Sequence, residues 1–320
     1  MQIFPPYRPE WRCPWHRLLA IWVLCWLGSN PLTAQQDPHH TQYIFNGLAI
    51  NPAYAGSRGT IAATFLYRNQ WLGFSGAPET QSLSLHMPGG RGRYGFGFTL
   101  VNDQIGHLSQ QWLQAAYAFR IPVGAGHLAL GLQGGLLNFR VRWEDVQALE
   151  EVDAIFAQAP ANMLLPNVGS GVYFSTDRFY LGLSAPHILE SRLLDDNPAR
   201  AQLARLYRHV YFTGGYVLGQ KNAVQWKPSF LLKYVPGSPL QADFNLMALL
   251  RKKYWLGVSF RPGDAISAML DFQIVRHFRV GYAYDYTISN LANYQSGSHE
   301  LYLGFELVTQ QSKFKSPRFF

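Results

Sequence analysis

Ser298-His299-Glu300 sets the three residue types of a hydrolase triad side by side near the end of the chain. Nucleophile, base and orienting acid must converge on one point. Consecutive residues of a strand point to opposite faces, so this run cannot converge by itself. His39-His40 offers two imidazoles for a metal, but adjacent histidines on a polar tail read as solvated side chains. Gly95-Phe-Gly97 and Gly131-Leu-Gln-Gly134-Gly135 have the glycine spacing of phosphate-binding loops, yet no helix follows either of them. Glycines that face a crowded interior or ease a curved sheet account for them better. The chain contains no HExxH, CxxC, P-loop or GxSxG motif. Its chemistry-bearing residues therefore predict no catalytic centre, no metal site and no cofactor.

The elements that carry these residues are strands. From residue 59 onward, short runs alternate between apolar and polar positions and are separated by Gly, Pro, Asn and Asp. Fourteen such runs can be drawn, from Thr60–Arg68 to His299–Leu307. Tyr94, Phe96, Phe98 and Leu100 share one parity, as do Phe244, Leu246, Ala248 and Leu250. Ile266, Ala268, Leu270 and Phe272 do the same, and so do Leu301, Leu303, Phe305 and Leu307; no charge breaks these apolar faces. A basic side chain at the lipid midplane costs ~2–4 kcal/mol, so such faces suit a barrel in a membrane. Many runs match the ~9–11 residues of a tilted membrane strand rather than the ~5–6 of a globular one.

Connection lengths sort by parity as well. Pro88–Gly92, Ile121–Gly126, Thr176–Arg178, Arg251–Lys253 and Val275–Phe278 are short, while Asn69–Glu79, Val141–Pro166, Ala185–Leu206 and Thr287–Ser298 are long. Val235–Leu240 and Pro262–Asp264 are short exceptions on the long side. Outer-membrane barrels alternate in this way, with short periplasmic turns and long outer loops. The expectation is an all-β, up-and-down antiparallel transmembrane barrel of fourteen strands with both termini periplasmic. Composition agrees: 15% aromatic and only 14% charged residues, with a mean hydropathy near zero, fit walls in which alternate residues face lipid. The net charge of +8 lacks the clustered stripe that nucleic acid requires. Pro228 suggests a bulge in its strand, and Trp143–Ala157 and Pro198–Tyr207 are compatible with short helices in the long loops.

Residues 1–34 read as a secretory signal peptide. Arg8, Arg12 and Arg17 precede the apolar run Leu18–Leu27, and Ala34 offers a small residue at the cut. Both cysteines fall within this stretch, and Leu24 before Cys25 argues against a lipid anchor. The remaining divisions expected are a periplasmic segment over 35–58, the barrel over 59–308 and a periplasmic tail over 309–320. Arg91, Arg93, Arg178, Lys221, Arg251-Lys252-Lys253 and Arg276 fall on the short-turn side and form a basic rim.

Several motifs have a distinctive order. Gln36–Ser57, with Asn51-Pro-Ala-Tyr-Ala-Gly56 at its end, is followed by Arg68-Asn-Gln-Trp-Leu-Gly-Phe-Ser-Gly-Ala-Pro78 and Asn102-Asp-Gln-Ile-Gly106. Gly182-Leu-Ser-Ala-Pro-His187, Gln241-Ala-Asp-Phe-Asn245, Gly281-Tyr-Ala-Tyr-Asp-Tyr286, Gly297-Ser-His-Glu300 and a closing Ser316-Pro-Arg-Phe-Phe320 come after. Together they resemble the PorP/SprF family of type IX secretion outer-membrane proteins, over essentially all of the chain beyond residue 34. Gly47 departs from the pattern, where a bulkier residue is expected. The resemblance implies a barrel beside the type IX translocon, linked to gliding motility and to surface attachment of secreted adhesins through their C-terminal sorting domains. It also implies partners among periplasmic peptidoglycan-associated components and the outer-membrane lipid.

The residues it marks are Asn51, Pro52, Tyr54, Gly56, Arg68, Gln70, Trp71, Gly73, Asn102, Asp103, Gly106, Pro186, His187, Asp243, Asp285, Ser298, His299 and Glu300. Most are expected to build the scaffold rather than touch a client. Arg68 and Asp103 are expected to tie to Asp285 or Glu300 across the lumen. Trp71 and Phe74 are expected to cap the first loop at the membrane interface. A diffusion porin is the alternative, opposed by bulky inward positions such as Met247, Trp255, Met269 and Tyr302; a membrane enzyme comes third.

Overall fold

The computed structural model describes residues 38–142, 162–189, 207–219 and 224–307. Within them the alternation of the sequence becomes fourteen antiparallel strands closed into a barrel. On one half of the wall stand β1 (Ile61–Asn69), β2 (Glu79–Gly89), β3 (Tyr94–Ile105), β4 (Leu108–Val123), β5 (Gly126–Val141), β6 (Asn162–Ser175) and β7 (Phe179–His187). The other half comprises β8 (His209–Tyr216), β9 (Gln225–Tyr234), β10 (Gln241–Leu250), β11 (Tyr254–Arg261), β12 (Ala265–Val275), β13 (Phe278–Thr287) and β14 (Ser298–Leu307). Each strand pairs with its sequence neighbours, and β1 closes on β14 from Ile61 opposite Leu307 to Asn69 opposite His299. Closure removes every free edge, which a membrane-embedded sheet must do because lipid offers its backbone no partner.

The outer face is apolar along each strand: Leu83, Leu85, Phe96, Phe98, Leu100, Leu113, Leu130, Phe244, Leu246, Leu270, Leu301 and Leu303 are all exposed. Their strand neighbours point inward and are buried, as in the strict alternation of β2 and β14. Pro228 causes no bulge. The register of β9 on β10 runs unshifted through it, and on its other side the β8 ladder simply stops at Gly215–Ser229 and resumes at an isolated bridge, Leu218–Trp226. Register shifts occur instead in β7, between Ser184 and His187, and in β12, between Gln273 and Val275. The signal peptide, both loop helices (but for Tyr207 at the edge) and the C-terminal tail lie outside the described residues.

Residues 38–58, expected as a periplasmic lead-in, lie instead inside the barrel. Thr41–Phe45, Gly47–Ala49 and Pro52–Tyr54 form three short 3₁₀ turns, and nearly all of their side chains are buried. The segment starts beside the ends of β1, β10, β11, β13 and β14 at the long-loop mouth and leaves at the opposite mouth, where Arg58 meets Glu306 and β1 begins. The physical reason is hydrophobic. Tyr43, Ile44, Phe45 and Ile50 pack against inward Leu66, Met247, Trp255, Met269 and Tyr302. Leu48, Ala53, Tyr54 and Ala55 pack against Ala118, Ala129, Tyr173 and Tyr180. Burying one such large apolar side chain stabilises by ~1.5–3 kcal/mol, and in water the segment would expose all of them.

Candidate functional site

The lumenal segment and the wall that receives it form the site. At the long-loop mouth, Arg68 of β1 lies 2.7 Å from Asp285 of β13 and 3.1 Å from Glu300 of β14. The two carboxylates also hold the segment: Thr41 N–H and Gln42 N–H donate to Glu300 at 2.8 and 2.7 Å, and the Thr41 hydroxyl donates to Asp285 at 2.7 Å. Each of these groups is buried. A buried charge is tolerable only when paired and hydrogen-bonded, and here the segment's own amides complete the pairing. Beside this cluster Arg261 Nε donates to Asp243 at 2.6 Å and Arg261 Nη1 to Asp264 at 2.8 Å. His39 Nε2 stands 3.2 Å from Asp243, and His40 is 3.8 Å from Glu300. The two histidines are therefore lodged in the mouth, not on a solvated tail. Burial, aided by Arg261 and opposed by Asp243, lowers the His39 imidazole below its ordinary range. The Tyr43 hydroxyl accepts from Asn245 Nδ2 at 2.5 Å.

Deeper in the lumen, Asn51 caps the turn it begins, its Oδ1 accepting from Ala53 N–H at 2.9 Å. Its Nδ2 donates to Val172 O at 3.0 Å, and Ser184 donates to Ile50 O at 2.8 Å. Pro52 suits the first position of that turn, and Tyr54 sets its ring edge-on to Tyr173 and His86 at 5.5 Å from each. The Gly56 N–H donates to His86 at 3.1 Å, and Arg120 donates to Ala55 O. The wall is hollowed to fit. A Cβ at Gly131 would collide with Ala53 N, and one at Gly95 with Ala55 O. Gly47 is small for the same reason, since a Cβ there would sit 2.8 Å from the Tyr54 ring. Gly131→Val should therefore unseat the segment. With the chain's only cysteines in residues 1–34, a Leu48→Cys reporter is expected to resist maleimide in the parent and to label readily beside Gly131→Val.

The other motif residues gather at the long-loop mouth. Loop 70–78 is closed at its base by Gln70 N–H on Pro78 O at 2.9 Å. Trp71 has a left-handed backbone (φ 52°), and its N–H donates to Ser298 Oγ at 3.1 Å. Leu72 N–H reaches Gly297 O at 2.8 Å, and Gly106 N–H reaches Gly76 O at 3.0 Å. Gly73 (φ 93°) turns the loop. Two motifs far away in sequence thus brace one loop, which leaves Leu72 and Phe74 exposed. Asp103 does not join Asp285 and Glu300, two acids it would repel. It accepts from Thr80 at 2.6 Å, one strand away. Asn102 accepts from Gln111 at 3.3 Å. Pro186 turns its carbonyl to Gln133 Nε2 at 3.0 Å, and the His187 ring lies 4.4 Å from that of Trp112. His299 faces away from Ser298 and Glu300 and meets Tyr282 Oη at 2.6 Å, so the triad types diverge as strand geometry demands. Thr41, Gln42, Arg58, Arg261 and Lys227 escaped sequence reasoning. For Arg58 and Arg261 the available clue was a buried-side charge needing an acid.

This architecture defines an outer-membrane β-barrel whose lumen is occupied by its own N-terminal segment. A family model for the type IX secretion system membrane protein PorP/SprF matches residues 32–305. The chain belongs to that family and is an outer-membrane component of type IX secretion. No curated protein matches it in sequence. Among solved structures, the Ralstonia pickettii toluene transporter TbuX is 8% identical, with 81% of this chain and 92% of that one aligned at a TM-score of 0.50. The Acinetobacter baumannii outer membrane protein Omp33 is also 8% identical, over 79% of this chain and 100% of that one, at 0.46. Identity this low speaks for the barrel alone.

Proposed function

We propose that the protein docks or retains secreted surface proteins at the outer membrane, acting as a scaffold beside the type IX translocon rather than as a passage. One observation carries this reading: the described lumen is filled by residues 38–58, which are held by hydrogen bonds to Glu300, the Arg58–Glu306 pair and apolar packing on facing walls. A barrel filled in this way offers its mouths and outer surface to partners. The braced loop 70–78 presents Leu72 and Phe74 on a rigid support, which suits contact with a client's sorting domain. At the other mouth Arg91, Arg178, Arg251, Lys252, Lys253 and Arg276 lie on exposed short turns and suit acidic periplasmic partners of the peptidoglycan-associated kind. Residues 1–34 would direct export.

A photo-crosslinker at Phe74 in living cells tests the reading. Capture of a protein bearing a type IX sorting domain, or of a translocon subunit, is the expected result. Recovery of neither would overturn it. The porin alternative requires an open lumen, and the buried segment speaks against it.

A further inference from the structure

Lys227 of β9 points into the barrel and is only 5% exposed. The described buried acids of the lumen are engaged elsewhere: Asp103 with Thr80, Asp243 with Arg261, Asp271 with Arg279, Asp285 and Glu300 with Arg68, and Glu306 with Arg58. Among the described residues, no carboxylate reaches Lys227. Its ammonium stands 5.4 Å from the centre of the Tyr180 ring, a cation–π contact that offsets only part of the lost hydration. It also borders a cavity of about 40 Å³ lined by Tyr43, Asn51, Tyr54, Tyr173 and Tyr180.

We propose that this cavity binds a small monovalent anion of chloride size against the Lys227 ammonium. Size limits the class, because a water needs ~10–15 Å³ of such space, so the cavity takes a few waters or a small ion and a sugar or nucleotide exceeds it. Chemistry sets the sign: a buried, unpaired cation draws an anion, and tyrosine ring edges are electropositive with hydroxyls that donate. Tyr43, Asn51 and Tyr54 belong to the lumenal segment, whereas Tyr173, Tyr180 and Lys227 belong to the wall. The ion therefore fastens one to the other, and its presence favours the seated segment. This site is independent of which client the barrel serves.

The test compares thermal unfolding of the full-length barrel in detergent in chloride and in gluconate, an anion too bulky for the cavity, at equal ionic strength. The parent midpoint is expected to climb in chloride, by roughly 3–6 °C per tenfold concentration once the site is saturated. Lys227→Met is expected to show no difference between the two anions. Equal parent midpoints in both salts would overturn the proposal, as would a chloride effect retained in Lys227→Met. Should that variant not fold, bromide-exchanged crystals of the parent decide. An anomalous peak within contact of Lys227 Nζ supports the site, and a water or no peak there refutes it.

Discussion

Deleting Pro38–Ser57 will turn a silent barrel into a conducting one. The segment fills the space between β2–β7 and β9–β14 with Tyr43, Phe45, Leu48 and Tyr54, and its removal opens a gap between the inward side chains of facing walls. Barrels of ~16–18 strands hold an aqueous channel, whereas ~8 strands close on their own side chains. At fourteen strands the lumen needs a separate filler. In planar bilayers the intact chain is expected to show only rare, brief openings and the deletion variant steady ohmic conductance. Equal conductance from both would show that the segment does not seal the lumen.

Arg68→Ala is expected to be the most destabilising single substitution in the mouth. It leaves Asp285 and Glu300 buried, unneutralised and close together. Removing one partner of a buried ion pair costs about 3–5 kcal/mol, and the surviving acids would repel each other. Thr41 and Gln42 would lose their anchor as well, so the damage should spread to the segment. Urea unfolding of the refolded barrel in detergent measures the loss. The triple variant Arg68→Met, Asp285→Asn, Glu300→Gln should regain much of it, because no uncompensated charge remains. A loss below about 1 kcal/mol for Arg68→Ala would mean that water reaches the cluster freely.

The wall was readable from the sequence because its information is local. A period of two, repeated between turn residues, places β10 at Gln241–Leu250 and β11 at Tyr254–Arg261, where the structure has them. Inward glycines at 95 and 131 were also legible as features of a crowded interior. The lumenal segment was not, since residues 41–56 follow neither a strand nor a helix period. Their partners stand up to 259 positions away, and periodicity is blind to such distances. Arg68 could be matched to Asp285 and Glu300 because all three fall at strand ends of one mouth. Asp103 could not be assigned by sign alone, since the hydroxyl beside it on β2 serves it better than a second acid. The bulk of Met247, Trp255 and Tyr302 pointed to a plugged interior, but nothing in their spacing said which segment packs against them.

Glu300 and Glu306 of the final strand grip Thr41, Gln42 and Arg58 near the beginning. Sealing the cylinder and seating its leader are consequently one cooperative event. A polypeptide short of β14 would lose these anchors at both mouths and keep the contacts of Asn51, Tyr54 and their neighbours with earlier strands. Loss of the last strand alone is therefore expected to loosen the leader at both ends of its path.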